Sequence, residues 1–352
     1  MRSVYLIRHG HPDFPIASRI CLGQTDTPLG PLGQLQGVLL ARAFAQTALT
    51  AVYTSPLCRA YDTARYLCDK PIVKNDLAEQ ATGLWDGLSF AEIAERWPEE
   101  YARRGEDPTR TMPGGEDLTH ACARFVAAVA EILQDSAGDI AIIAHKGVID
   151  VFLRALTGSA VLPKLPYGGY WHLTAEKDAL SLTDPAPIQP HPELDRALCL
   201  ALLQEVAPEP VIRHCEAVSA LALEIAAALP LPLSLDTTLL AQAALLHDIA
   251  RTHADHAQLG AIWLEKLGYP TVAESIRQHH DLETPALDEA SIVYIADKCL
   301  RGAARVPLAE RFAASRKKCQ SQEALAAWEK RWQTTRILQE TINTYCGKEL
   351  IQ

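Results

Sequence analysis

The chain has 352 residues, of which 48% are hydrophobic and 22% charged, and its formal net charge is −10. Single hydrophobic cores usually stop growing at about 250–300 residues, so this length predicts two domains. No apolar run approaches the roughly 18 residues of a membrane-spanning helix, and the acidic balance argues against broad binding to nucleic acid or to anionic membranes. A small anionic substrate stays compatible with a locally positive pocket.

The first residues and the cysteines bear on the compartment. The start "MRSVYLIRHG" lacks the long apolar segment of a secretory signal. The nine cysteines are an odd number, widely spread and without a C-x-x-C pair, which is typical of reduced thiols rather than of a disulfide framework. We therefore expect a cytoplasmic protein without a membrane partner, whose oligomeric state the sequence does not set.

The first half of the chain alternates strand and helix patterns. In chain order, "SVYLIR" predicts a strand, "GQLQGVLLARAFA" a helix, "AVYTS" a strand, "CRAYDTARYLC" a helix and "DIAIIAHKG" a strand that ends in a polar loop. This alternation predicts parallel strands joined by crossover helices. Residues 1–183 are therefore interpreted as an α/β layered domain.

A proline-rich stretch separates the halves. Residues 182–195, "LTDPAPIQPHPELD", contain four prolines, which cannot continue a helix or an inner strand, and we place the linker at residues 184–194. After it, "RALCLALLQEVA", "EAVSALALEIAAAL", "TTLLAQAALLHDIA" and later segments show helical periodicity. Residues 195–352 are predicted to form an all-α bundle, with its motifs at about 205–305.

Two predicted strands each end in a histidine, His9 in "LIRHG" and His145 in "AHKG". In α/β layer folds, sites form outside the carboxyl ends of the strands. Arg8 and Arg59 have the forked donors that suit a phosphoryl group, His9 is a candidate nucleophile that would give a phosphohistidine, and His145 a candidate for steadying the transferred oxygens. Taken singly, each residue has a plainer interpretation: a histidine in a loop, or Arg59 in a surface ion pair with Asp62.

A phosphoryl transfer to histidine also needs an acid for the departing alkoxide. We assign this role to Glu79 in "LAEQATGLWDG". A carboxyl group next to a phosphate dianion has its pKa raised by like charge, so it keeps its proton near neutral pH. In isolation, Glu79 would be interpreted as a solvated carboxylate.

Together these segments resemble the histidine phosphatase superfamily. The resemblance covers residues 1–183 and rests on "LIRHG", "GQTDTPLG", "SPLCRAYDTA", "LAEQATGLWDG", "MPGGEDL" and "AHKG". It implies a three-layer phosphoglycerate mutase-like α/β fold, a phosphorylated His9, a phosphate pocket of Arg8, His9, Arg59 and His145, and no metal requirement. Within the superfamily, the chain looks more like the α-ribazole phosphatases than like glycolytic mutases.

The chain departs from this family pattern at two places. His11, Pro12 and Pro15 occupy a stretch where many members have other residues, which predicts the loss of one phosphate contact. Lys146 follows the second histidine where a small residue is common, and an added cation there would favour a more negatively charged substrate.

The second half holds most of the remaining histidines. Facing helices of a bundle can bring imidazoles and carboxylates to one interior point, and that donor set suits iron, manganese, cobalt, nickel or zinc better than magnesium. The candidate ligands are His214, His247, Asp248, His256, His279, His280 and Asp297. Plainer interpretations are a helix-terminal His247 and an exposed His280, but Asp297 in the apolar run "SIVYIADKC" needs a buried partner.

Residues from about 195 to 305 resemble the HD-domain metal-dependent phosphohydrolases, whose order is H…HD…D. His214, His247, Asp248 and Asp297 match that order, and "HAQLGA" with "IRQHH" resembles the subset with extra histidines, which includes diadenosine tetraphosphate hydrolases. The resemblance implies a divalent metal centre of one or two ions, with Asp248 bridging and catalytic. Residues 306–352 show no motif, and the basic "RFAASRKKCQ" is interpreted as a solvated helix face.

These observations lead to one main hypothesis and two alternatives. The main hypothesis is a bifunctional cytoplasmic phosphohydrolase, in which one site opens a phosphoanhydride or phosphodiester and the other removes the exposed phosphate. In the first alternative, the HD half senses a nucleotide and regulates the phosphatase. In the second, the first half is a mutase that moves phosphate between hydroxyls. Motifs do not encode the leaving alcohol.

Overall fold

The computed structural model describes residues 1–107, 109–177, 179–230 and 235–352. The chain divides into two compact units, Met1–Pro192 and Glu193–Gln352. This division lies inside the stretch predicted to be the linker, residues 184–194.

The first unit is built on a six-stranded sheet. Its strands, in chain order, are β1 (Arg2–Arg8), β2 (Ala51–Thr54), β3 (Ile72–Val73), β4 (Ile140–Ala144), β5 (Tyr170–Glu176) and β6 (Ala179–Leu182). Across the sheet the order is β3-β2-β4-β1-β5-β6. The first four strands pair in parallel, whereas β5 pairs antiparallel with β1 and β6 with β5. The three strands predicted from the sequence, β1, β2 and β4, are parallel as expected, and β5 and β6 add an antiparallel edge that the sequence analysis did not predict.

The helices of this unit are α1 (Pro31–Phe44), α2 (Cys58–Arg65), α3 (Phe90–Arg96), α4 (Pro98–Glu106), α5 (Leu118–Asp135) and α6 (Lys146–Thr157). Helices α1 and α2 cover one face of the sheet and α5 and α6 the other, whereas α3 and α4 pack in a separate small cluster with Trp85 and Met112. Because side chains alternate along a strand, Val4 and Leu6 pack on the α5 and α6 side, while Ile7 packs with Leu40 and Phe44 of α1. The three-layer α/β prediction is confirmed.

The register of the central strands determines where their polar ends meet. Arg8 pairs with Ala144, and the His9 amide donates to the Ala144 carbonyl at 3.1 Å. Because Arg8 and Ala144 are paired on adjacent parallel strands, the residues that follow them, His9 and His145, lie side by side at the same edge of the sheet. Thr54 of β2 pairs with Ile143 on the other side of β4, so Ser55 reaches the same edge.

The second unit is helical. Its helices are α7 (Arg196–Val206), α8 (Glu209–Ala228), α9 (Thr237–Leu246), α10 (His256–Leu267), α11 (Pro270–Arg277), α12 (Glu289–Lys298), α13 (Leu308–Arg316) and α14 (Gln322–Cys346). The all-α bundle is confirmed, with the addition of a small antiparallel pair, β7 (Leu300–Arg301) and β8 (Ala304–Arg305). In the described chain, no helix has the length and apolar character needed to cross a bilayer.

Helix α12 is the centre of this bundle. From Ser291 to Lys298 every residue is buried, including the carboxylate-bearing Asp297. His247 and Asp248 directly follow the C-terminus of α9, and His279 and His280 follow that of α11. Helix ends therefore deliver most of the histidines toward the residues of α8 and α12.

Candidate functional site

His9 lies in the loop after β1, and its tautomer follows from its backbone contact. Its Nδ1 lies 2.7 Å from the Gly10 carbonyl, which can only accept, so Nδ1 carries the proton and Nε2 keeps the lone pair. The Gly10 amide in turn donates to Thr63 Oγ1 at 2.9 Å. A Cβ on Gly10 would lie 2.7 Å from the Gly33 carbonyl oxygen, so glycine is needed for this close approach to α1.

His145 faces His9, with ring centroids 5.0 Å apart. Its Nε2 lies 2.7 Å from Ser55 Oγ, whereas its buried Nδ1 has no hydrogen-bond partner among the described residues. When the serine hydroxyl donates to Nε2, Nδ1–H is the atom available to a phosphoryl oxygen. Burial holds the pKa of both His9 and His145 well below the usual value, helped by the nearby arginines.

The Arg8 guanidinium is held by the loop that precedes β5. Its Nη1 donates to the Leu165 carbonyl at 3.0 Å, and its carbon lies 3.5 Å from the centre of the Tyr167 ring, a cation–π contact. The Tyr167 ring also lies 5.6 Å from His9, centroid to centroid. Tyr167 is therefore part of the pocket wall.

Arg59 is fully buried at the start of α2. Its Nη1 and Nη2 donate to the carbonyls of Thr25 and Gly23 at 2.8 and 2.6 Å. The Asp86 carboxylate accepts from the amides of Gly23 and Thr25, both at 2.8 Å, and also from the amide between them at 2.9 Å. Asp86 thus shapes the loop whose carbonyls orient Arg59, which gives a physical role to "GQTDTPLG" and "GLWDG".

Neither Arg8 nor Arg59 has a carboxylate oxygen within 4.0 Å in the described chain, and the buried Nε of each lacks a hydrogen-bond acceptor there. The surface ion pair with Asp62 considered for Arg59 is therefore not formed. Burial lowers the pKa of both guanidiniums, but arginine stays charged at neutral pH. Two desolvated positive charges beside uncharged imidazoles make a pocket suited to an anion.

The carboxyl group of Glu79 lies at the N-terminus of α6. It accepts from the amides of Gly147 at 2.9 Å and Val148 at 3.1 Å, and also from the amide of Gln80 at 2.9 Å. Burial raises the pKa of Glu79, although these amides and Arg59 oppose the shift. Burial therefore raises the pKa of Glu79 even without a bound anion, and the negative charge of a bound phosphate would raise it further.

The "MPGGEDL" segment supports the backbone around Glu79. Glu116 of "MPGGEDL" pairs with Arg124 at 2.8 Å, and Arg124 donates to the carbonyls of Asp76, Ala78 and Glu79. Glu116 also accepts from Ala81. This network fixes the backbone that carries Glu79.

The two departures from the family pattern have different surroundings, and the predicted loss of a phosphate contact stays a prediction. His11 is buried, with its ring 5.0 Å from Tyr167 and 4.7 Å from Phe14. Lys146 forms an ion pair with Asp150 one turn along α6. Lys146 is therefore a paired cation, and its effect on the preferred charge of the substrate stays a prediction.

A cavity of about 440 Å³ adjoins Glu79 and Gly147. Most of its walls are apolar or aromatic, including Trp85, Phe90 and Tyr101, and Arg104 is its one cation among the described residues. A leaving alcohol protonated by Glu79 would lie against this wall.

In the second unit, the structure brings all seven predicted ligands into two adjacent groups. One group is Asp248, His256, His279 and His280, and the other is His214, His247 and Asp297; within each group the ligand atoms lie within 4.8 Å of one another. Asp248 lies between the groups. Its Oδ1 is 3.2 Å from His256 Nε2, and its Oδ2 is 3.7 Å from His247 Nε2.

Backbone carbonyls fix the tautomers of two of these histidines. Nδ1 of His247 and His279 lies 2.8 Å from the carbonyl of Ala244 and Ile276 respectively, so Nδ1 carries the proton and each Nε2 lone pair points inward, as in histidines that ligate metals. Both nitrogens of His214 face acceptors, Nδ1 the Gly302 carbonyl at 2.8 Å and Nε2 the Asp297 carboxylate at 3.1 Å. Burial lowers the pKa of His247 to about 4, so it is uncharged at neutral pH.

The inward atoms fit a cation. Nε2 of His247 and His279 and Oδ1 of Asp248 are buried without a hydrogen-bond partner among the described residues. Nε2 of His256 and His280 approach to 2.7 Å, although at most one of two neutral nitrogens can donate there. Burial alone would raise the pKa of Asp297, but Lys298 and the imidazoles hold it well below its usual value. Mixed nitrogen and carboxylate donors suit a borderline divalent metal.

Several residues of these sites escaped the sequence analysis. Ser55, Tyr167 and Asp86 act through tertiary contacts that no single motif reports. A cavity of about 670 Å³ beside the two groups of candidate metal ligands extends to Arg311, Phe312 and other residues of α13 and α14. The interpretation of 306–352 as a bundle segment with a solvated basic face is therefore incomplete.

Comparison with known families agrees with this geometry. Residues 4–175 match the model of the histidine phosphatase superfamily (branch 1), and residues 211–302 match that of the HD domain. The chain belongs to the histidine phosphatase superfamily and carries an HD domain after its phosphatase domain.

Individual relatives align with about half of this chain. The glucosyl-3-phosphoglycerate phosphatase of Mycobacterium tuberculosis is 32% identical over 182 residues, which are 48% of this chain and 78% of that protein. The bifunctional protein Rv2228c of the same organism is 34% identical over 168 residues, 46% of each chain, so this chain spans about half the length of that relative. A solved mycobacterial glucosyl-3-phosphoglycerate phosphatase aligns with 53% of this chain and 98% of its own, at 29% identity and a TM-score of 0.48.

Proposed function

We propose that the chain is a bifunctional phosphohydrolase. Its first unit is a metal-independent phosphomonoesterase that acts through a phosphohistidine on His9. The observation that carries this proposal is the pair of guanidiniums of Arg8 and Arg59, each with a buried Nε that lacks an acceptor and with no carboxylate partner in the described chain. Fixed, desolvated donors of this kind stabilise charge on a transferring phosphoryl group without reorganisation.

In the first step, Nε2 of His9 attacks phosphorus. The new P–N bond forms as the P–O bond to the alcohol breaks, and the departing alkoxide takes a proton from Glu79. In the second step, water attacks the phosphohistidine, Glu79 takes its proton, the P–N bond breaks and inorganic phosphate leaves. The Gly10 carbonyl, which accepts from Nδ1, stabilises the positive charge on the phosphorylated ring.

The substrate of this site is a small phosphorylated molecule. The cavity beside Glu79 supports an alcohol with an apolar or aromatic part, since Trp85, Phe90 and Tyr101 line it. Arg104 is positioned to contact one additional acceptor on that alcohol. The nine free thiols support a cytoplasmic location for the enzyme.

The HD domain is proposed to be a metal-dependent hydrolase of a nucleotide or another phosphoanhydride or phosphodiester. One or two divalent ions, iron, manganese or similar, would be held by the two histidine and aspartate groups, with Asp248 shared between them. Bound there, a divalent ion supplies Lewis-acid chemistry, neutralising phosphoryl charge and making water a better nucleophile near neutral pH. The backbone carbonyls keep the imidazoles oriented with Nε2 inward.

We expect the two activities to be separable by single substitutions in the intact chain. His9→Ala should reduce hydrolysis of an aryl phosphate by about a thousandfold or more, whereas the exposed His191→Ala should not. Asp248→Asn should abolish hydrolysis of bis(p-nitrophenyl) phosphate and leave the monoesterase intact. A chelator should act like Asp248→Asn, on the second activity alone.

The alternatives are outcomes of the same experiment. Retention of full monoesterase activity by His9→Ala would refute the phosphohistidine mechanism. Recovery of phosphate on an added alcohol, rather than as inorganic phosphate, would indicate a mutase. Tight nucleotide binding without turnover by the metal-loaded wild-type protein would indicate that the HD domain is a sensor.

A further inference from the structure

The cavity beside the two groups of candidate metal ligands has two chemically different sides. One side holds candidate ligands, His214, Asp248, His280 and Asp297. The other side comes from α13 and α14, beyond residue 302, where the HD match ends. We call the residues of α13 and α14 that line this cavity the distal wall; those used below are Arg311, Phe312, Ser315, Lys318 and Trp328.

The cations of this cavity are of two kinds. Lys298 bonds Asp297 at 2.7 Å, Arg331 bonds Asp281 through two contacts at 2.6 and 2.7 Å, and Arg251 lies 3.6 Å from Asp248. Arg311 and Lys318 of the distal wall, by contrast, have no carboxylate within 4.0 Å in the described chain. Two uncompensated positive charges therefore face the same cavity as the candidate metal centre.

The distal wall also presents an aromatic surface. Trp328 is only partly buried, and its Nε1 donates to the Phe312 carbonyl and to Ser315 Oγ, both at 3.1 Å. The Phe312 and Trp328 rings lie 6.0 Å apart in an edge-to-face arrangement. The two hydrogen bonds fix the indole plane, which lowers the entropic cost of stacking a planar ring against it.

We infer that the distal wall is the substrate-recognition surface of the HD site and that it selects a nucleotide with at least two linked phosphates. Arg311 and Lys318 bind phosphates distal to the one at the candidate metal centre, and Trp328 with Phe312 contacts the base. This inference rests on the proposed phosphohydrolase function of the same site and adds residues outside the HD match.

The chain contains a matched control for the two cations. Arg316 is unsuitable as a control, because its guanidinium lies 5.3 Å from the Trp328 ring. Lys317, beside α13, and Lys330, in α14, are exposed and do not line this cavity. Lys317→Ala/Lys330→Ala removes the same charge as Arg311→Ala/Lys318→Ala, so a difference between the two double variants reports position, not net charge.

The test measures binding by calorimetry to the full-length protein carrying His9→Ala, loaded with Mn²⁺. The probes are α,β-methylene-ADP, which has a base, and methylenediphosphonate, which does not. Arg311→Ala/Lys318→Ala should weaken both probes about tenfold or more, and the control double variant less than about twofold. Trp328→Leu should weaken only the nucleotide analogue, by about tenfold, and Trp328→Phe should restore most of it.

Failure of this inference is distinguishable from failure of the proposed function. Equal binding by the two double variants, or no binding of either probe by the metal-loaded parent, would overturn the distal wall as a recognition surface. Metal content and hydrolysis of bis(p-nitrophenyl) phosphate by the protein without distal-wall substitutions report on the proposed function separately. Melting temperatures of the variants exclude a loss of folding as the cause.

Discussion

Among the described residues, the two clusters of buried polar side chains differ in which atoms they leave without a hydrogen-bond partner. In the first cluster these are the donor Nε of Arg8 and Arg59, with Nδ1 of His145 available as another donor. In the second cluster they are acceptors, Nε2 of His247 and His279 and Oδ1 of Asp248. An anion can satisfy buried donors and a cation can satisfy buried acceptors, so histidine serves opposite chemistry in the two sites.

The difference arises from what holds each imidazole. His145 contacts a hydroxyl group through Nε2, which can either donate or accept. His247 and His279 each donate Nδ1–H to a backbone carbonyl, which can only accept, so their Nε2 must be a lone pair. Helix ends supply those carbonyls, because the last carbonyls of a helix lack partners within it.

The largest predicted effect is the loss of the bound metal, which tests whether the acceptor-rich cluster of the second unit is a metal centre. His279→Ala removes one inward lone pair, and its effect on metal affinity should be at least as large as the about 10–100-fold loss caused by removing a supporting partner. Metal content after gel filtration measures it, and the rise in melting temperature on adding Mn²⁺ should disappear with it. The exposed His253→Ala, in the same unit, is the control.

If His279→Ala retained metal as firmly as His253→Ala does, the acceptor-rich cluster would not be a metal centre. The phosphomonoesterase should be unaffected by both variants and by a chelator. A chelator-sensitive monoesterase would remove the contrast between the two sites.

The next largest effect concerns the proton that the first site must supply. Glu79→Gln should lower turnover of an alkyl phosphate by about 100-fold, and that of p-nitrophenyl phosphate much less, because nitrophenolate leaves without a proton. Exposed Glu95→Gln should change neither. A comparable loss on both substrates would indicate that Glu79 positions α6 and does not act as the acid.

The pH profile of the alkyl phosphate reaction follows from the shifted pKa values. Burial raises the pKa of Glu79, so the wild-type rate should fall as pH rises through that raised value, and Glu79→Gln should lose this limb. Burial lowers the pKa of His9, which stays an uncharged nucleophile below pH 6.5. The acid limb should therefore lie below the ordinary histidine range.

Much of this fold was predictable because its cues are local. Apolar runs that end in polar loops mark β1, β2 and β4, and the prolines after residue 183 mark the change from alternating elements to helices. The antiparallel β5 and β6 and the β7–β8 pair were not, since strand direction and two-residue ladders depend on neighbours distant in the chain.

For the sites, the sequence indicated residue types but not their supports. His9, His145 and the seven candidate ligands each stand in a motif. Tyr167, Ser55 and the distal wall contribute through contacts across the fold, for example the Tyr167 ring on Arg8. The sequence analysis considered Lys146 without Asp150, which pairs with it one helical turn away.

A smaller effect is expected from the support of Arg59. Asp86→Asn leaves one acceptor oxygen where a carboxylate now receives three backbone amides, so the Gly23–Thr25 loop should shift and misplace the guanidinium. Competitive inhibition by inorganic phosphate should weaken about tenfold. Exposed Asp69→Asn is the control, and an unchanged inhibition constant with only a lower melting temperature would mean that Asp86 is purely structural.

The smallest predicted effect is on KM when Lys146 is replaced, and it tests whether this paired cation acts on the substrate. Lys146 follows a pocket histidine, but its ammonium group is bound by Asp150, so its field at the pocket is largely cancelled. Lys146→Ala should change KM by less than about twofold for both a singly and a doubly charged phosphomonoester, in line with the small energies of exposed pairs. Asp150→Asn frees the ammonium group and should lower KM for the more negative substrate. A tenfold rise in KM for Lys146→Ala would instead show that the first site draws on a third cation, beyond its two buried arginines.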